Sequence, residues 1–80
     1  MDESFAIENH INHERNKAAK IFLMAKETGD PKRKEELLLS SYNILKLLID
    51  TYPSSGLINK LNSHLSKVLD ELEKLREKHG

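Results

Sequence analysis

The sequence predicts an all-α fold, a small antiparallel three-helix bundle, on three observations. Leucine, lysine and glutamate are abundant while valine occurs once, a composition that favours helix over strand. Turn-forming residues gather at two interior places, Thr28-Gly29-Asp30-Pro31 and Tyr52-Pro53-Ser54-Ser55-Gly56, and divide the chain in three. Between them apolar residues recur at helical spacing. The expected helices cover about residues 5–28, 31–51 and 55–78.

The first segment places Ile7, Ile11, Ala18, Ile21, Phe22 and Ala25 on one broad face. Glu14 interrupts that face, and Asn9, Asn12 and Asn16 weaken its first half. Met1 to Ser4 is expected to fray, with Ser4 as a candidate cap, and residues 1–13 to form a loosely ordered arm or a helix extension. Gly29 is expected to end the helix in a left-handed conformation. Asp30 then caps the next helix and Pro31 fits its first position. So short a turn makes the two helices antiparallel neighbours.

The middle segment carries Leu37, Leu38, Leu39, Tyr42, Ile44, Leu45, Leu47, Leu48, Ile49 and Tyr52. Leu37, Ile44 and Leu48 project together, with Leu38, Leu45 and Ile49 beside them. The combined face is wider than one neighbour requires and suits a helix with a partner on each side. Pro53 ends it, and Ser54 or Ser55 caps the third. There Ile58, Leu61, Leu65, Val68, Leu72 and Leu75 form a narrow stripe, widened by Leu57 and Leu69. Lys60, Lys67, Asp70, Glu73, Lys74 and Glu77 are expected to face water. Arg76, Lys78 and His79 suit the negative end of the helix dipole, and frayed residues at Gly80 would cost little. The expected core comprises Ile11, Ala18, Ile21, Phe22, Ala25, Leu38, Leu45, Leu48, Ile49, Leu61, Leu65, Val68 and Leu72.

Eighty residues suit a single domain over 1–80. The absence of cysteine removes disulfides and thiolate chemistry and fits a reducing compartment. Thirteen basic residues balance thirteen acidic ones, unlike the strongly positive field of a typical nucleic-acid binder. The start lacks a signal-peptide pattern, and no apolar run approaches the roughly 20 residues that span a bilayer. The expected setting is the cytoplasm.

No constellation points to catalysis, so the expectation is a non-enzymatic protein without a cofactor. His10, His13 and Glu14 share helical spacing but not the two-histidine motif of a metalloprotease, and read as surface or capping groups. His64 reads as a neighbour of the core, and Ser54 and Ser55 as caps without a nucleophile elbow. Three scattered glycines form no phosphate loop. Asp70 and Glu71 adjoin on a solvated surface.

The informative excess is apolar. Leu39 and Leu47 lie off the main arc of the middle helix, only Ser40, Asn43, Lys46 and Asp50 give it a polar face, and Leu57, Leu75 and Tyr52 exceed what a small core needs. Tyr42 and Tyr52 suit partly buried contacts. Leu39, Tyr42, Leu47 and Tyr52 are therefore the candidate protein-binding residues, for another protein, a helical peptide or self-association. The alternative is a small regulator that meets nucleic acid or another polyanion through Lys32, Arg33 and Lys34 at a helix start.

Two families of helical adaptor share features with this chain. Gly29-Asp30, the helix ending in Tyr52-Pro53-Ser54-Ser55, and the small residues Ala18, Ala19 and Ala25 resemble a tetratricopeptide repeat. The stretch from Glu14 to Lys78 resembles the microtubule-interacting-and-transport domain, through Ala18, Ile21 and Ala25, then Tyr42 and Leu45, then Leu65, Leu69 and Leu72. Bulky leucines stand where that family has alanines in its second helix. The resemblance implies a three-helix bundle that holds tail peptides in grooves between helices.

Overall fold

The computed structural model describes residues 3–79. Three helices make up the fold: α1 (Glu3–Glu27), α2 (Pro31–Thr51) and α3 (Ile58–His79). Short turns set them antiparallel in a rod with principal extents of 48 × 17 × 14 Å. Both α1 and α3 pack on α2 and approach each other only sparsely. No helix among the described residues is long and apolar enough to cross a membrane.

The apolar arc of α2 explains this arrangement. Leu38 and Leu45 are fully buried and Leu37 and Leu48 nearly so. Ile11, Ala18 and Ala25 from α1 and Leu61, Val68 and Leu72 from α3 complete the core. Of the expected core, Ile21, Phe22, Ile49 and Leu65 are half-buried against it, as are Tyr52, Leu57 and Leu75. Those last three are packing residues rather than surplus.

Ser41, also fully buried, lies opposite α1. Its hydroxyl donates to the Ala18 carbonyl at 3.0 Å, which removes the penalty for burying it. Ser41, Ala18 and Ala25 are small, so α1 and α2 come close together. Leu37 and Ser41 were absent from the expected core; Leu37 projects with Leu48, and the hydrogen bond is what admits the serine.

The turns follow the sequence in part. Asp30 caps α2, its Oδ1 accepting from the Lys32 amide at 3.1 Å, with Pro31 in the first position. Gly29 is a correction, because no described glycine has positive φ. The end of α1 is closed instead by the Thr28 amide, which donates to Met24 O at 3.1 Å. The Thr28 hydroxyl accepts from the Asp30 amide at 3.3 Å. Ser4 is also corrected: it lies inside α1, which begins at Glu3. The expected fraying concerns Met1, Asp2 and Gly80 as well, which lie outside the described residues.

The Tyr52 amide donates to Leu48 O at 2.9 Å and closes α2 before Pro53. The third helix begins at Ile58, later than the expected residue 55, because Tyr52 to Leu57 form turns. Ser55 nevertheless caps the entry, its hydroxyl accepting from the Leu57 amide at 3.1 Å. The ion pairs Arg33–Glu36, Lys46–Asp50 and Lys74–Glu71 are local to single helices and reach at least 3.3 Å. Such pairs contribute little, so burial holds the bundle together.

Leu45→Ala should lower stability by about 2–5 kcal/mol, while Leu47→Ala should stay within about 0.5 kcal/mol of the parent. Urea melts of the two variants check this contrast. A methyl group at Gly29 meets nothing within 4 Å. Gly29→Ala should therefore stabilise by about 0.4–1 kcal/mol through the unfolded chain, where a left-handed cap would make it destabilising.

Candidate protein-binding groove

The four candidate protein-binding residues separate on the structure. Consecutive helical residues diverge by about 100°, and Leu39 and Leu47 are also two turns apart along α2. Leu39 is 39 % exposed and Leu47 67 %. Between them stand the exposed Ser40, Asn43 and Lys46, so α2 has a solvent face on which the two leucines are isolated from each other. Tyr42 is half-buried against the core.

Leu47 and Tyr52, in contrast, belong to one groove. It lies between α1 and the C-terminal half of α2 and has a volume of about 250 Å³. Its walls are His10 and Glu14 on one side and Ile44, Leu47, Leu48, Thr51 and Tyr52 on the other. Thr51 and Tyr52 also border a second cleft of about 410 Å³, which reaches Ile7, Glu8 and the turn from Pro53 to Gly56. The two clefts share Thr51 and Tyr52 as lining residues. The Tyr52 ring is held edge-on to His10 at 6.2 Å between centroids. Ile7, His10 and Ile44 also line these clefts and were not among the candidate protein-binding residues. Ile7 was placed on the apolar face of the first segment but not in the expected core, and it is 40 % exposed near the start of α1.

The basic run does not form a patch. Lys32, Arg33 and Lys34 are successive, so they point three ways around α2. Arg33 pairs with Glu36 at 3.7 Å. Lys34 shares a cleft with Glu71, Lys74, Leu75, Glu77 and Lys78, where charges of both signs meet. Lys32 is exposed. Among the described residues no group of three or more histidine, aspartate or glutamate side chains is placed to hold a metal ion.

His64 has a defined environment. Its ring stands edge-on to Phe22, with centroids 5.6 Å apart, and Lys26 lies over the Phe22 ring at 5.5 Å. Burial holds the His64 imidazole below its ordinary pKa, and the charges of Lys67 and Arg15 lower it further.

No family model, curated protein or solved structure matches this chain.

A lowered folded-state pKa means that the unfolded chain binds the His64 proton more readily. The stability His64 contributes is present above its unfolded value and is lost as pH falls towards the folded one. Thermal melts from about pH 7.5 to about pH 5.5 should show a steeper loss in the parent than in His64→Gln.

Proposed function

We propose that this protein is a non-enzymatic interaction module that holds an apolar segment of a partner protein against the groove between α1 and α2. Leu47 carries this reading. It is the most exposed large apolar side chain of the described residues and sits on the lip of a concave surface lined by Ile44 and Tyr52. A leucine beside a groove offers a partner apolar area that scattered surface leucines do not. Tyr52 adds a ring fixed by His10, which loses little freedom on binding. The carboxylate of Glu14 and the hydroxyl of Thr51 at the groove edge supply polar contacts that set orientation.

Kinship with the helical adaptor families is part of the same proposal and rests on the three-helix arrangement alone. A cytoplasmic setting is also part of the proposal, and a sequence without cysteine suits it.

Capture from native extract, compared between the parent, Leu47→Asp and Leu39→Asp, tests the reading. The parent and Leu39→Asp should retain a partner at high salt, and Leu47→Asp should lose it. Equal capture by all three would overturn the groove assignment. Melting that depends on protein concentration, with no extract protein retained, would replace the foreign partner by a second copy of the chain.

A further inference from the structure

The second long seam of the bundle, between α1 and α3, has a different character. On α3, Lys60, Ser63, His64 and Lys67 recur at the spacing of a single helical face. On α1, Asn12, Arg15, Asn16 and Ala19 do the same. The two faces border a groove of about 250 Å³ lined by Arg15, Asn16, Ala19, Lys60, Ser63, His64 and Lys67. No carboxylate lines it. Glu71, one turn beyond Lys67, is turned to Lys74 at 3.9 Å. Arg15 donates through Nη2 to Asn12 Oδ1 at 3.0 Å, while its Nε is buried without a partner in the protein.

Like charges facing one another across an open seam oppose its closure. They also provide what an anion needs. Permanent cations sit on both walls, hydroxyl and amide groups lie between them, and Arg15 is pre-oriented by its bond to Asn12. Lys60 and Lys67 are two turns apart, about 10 Å along α3, a span that linked phosphates match better than a single phosphate does. The only apolar lining residue is Ala19, so the groove has no greasy rim to enter a bilayer, and a soluble ligand fits it best.

We propose that the α1–α3 groove binds linked phosphate groups of a soluble ligand, with Arg15 on one wall, Lys60 and Lys67 on the other, and Ser63 and His64 donating between them. This site is separate from the apolar groove and does not depend on it. A bound anion offsets the repulsion within the seam, so it stabilises the folded chain by mass action. It also favours the imidazolium form of His64. The charged groups facing that ring are Arg15 from α1 and Lys60 and Lys67 from its own helix, and α2 adds none to the lining.

Titration of the intact protein with inorganic pyrophosphate, followed by NMR, tests the proposal. Shifts should concentrate on Arg15, Ser63, His64 and Lys67, and the melting temperature should rise. The His64 pKa should move upward from its lowered value. Lys60→Gln with Lys67→Gln changes exposed side chains, so the fold should persist, with binding weakened about tenfold or more. The paired control Lys17→Gln with Lys20→Gln, on exposed positions outside the groove, should bind as the parent does. Shifts centred on Lys32 to Lys34, or equal binding by both double variants, would overturn the site. Capture by phosphoinositide-bearing vesicles without any response to free pyrophosphate would overturn the soluble ligand in favour of a membrane surface.

Discussion

A helix whose apolar arc exceeds what one neighbour can cover needs two, and α2 is such a helix. Leu38 and Leu45 are fully buried on a helix against which both α1 and α3 pack. The remaining architecture follows from that demand. The outer helices need to meet α2, not each other, so their mutual seam is free to carry polar residues. Arg15 on one wall and Lys60 and Lys67 on the other line that seam, and Phe22 meets His64 edge-on across it. A groove between outer helices is thus a consequence of where the hydrophobic demand lies.

The two seams of α2 are not equivalent. Against α1 the side chains are small: Ser41, Ala18 and Ala25 are all fully buried. Burial of a hydroxyl there is possible because the Ala18 carbonyl has a second lone pair available beyond its helical bond. Close approach of α1 leaves little width for the larger residues at the edge of the arc. Ile44 is half-covered and Leu47 stands clear, which is how a concave apolar surface arises beside a tight seam.

Much of this was legible in the chain. Asp30-Pro31 and Tyr52-Pro53 act through local backbone chemistry, and the turns they predict are present. The breadth of the α2 arc correctly implied two neighbours. Gly29 was misread because a glycine after a helix suggests a left-handed residue, whereas here the Thr28 hydroxyl accepts from the Asp30 amide and Gly29 keeps a negative φ. Helical projection gave the angles of Leu39, Tyr42, Leu47 and Tyr52 but not the sizes of the facing residues, which decide how much of each is covered. Leu57 and Leu75 were read as surplus for the same reason, although both pack on the core. Leu23 and Met24, inside the apolar run from Ile21 to Ala25, remain exposed, and nothing in the structure explains them.

Charge was the harder signal, because adjacency in sequence is the wrong measure on a helix. Lys32-Arg33-Lys34 catches the eye as a run, yet three successive residues spread over most of the circumference, and acidic neighbours meet two of them. Lys60 and Lys67 do not adjoin, and Arg15 is remote in sequence, yet helical spacing and antiparallel packing bring them to one seam. A chain of zero net charge has no extended positive field to draw in a long polyanion. The balance is a sum over the whole surface, however, and constrains no single groove. Carboxylates placed on other faces, such as Glu36, Asp50 and Glu71 with their own lysine and arginine partners, leave the α1–α3 seam locally cationic within a neutral molecule.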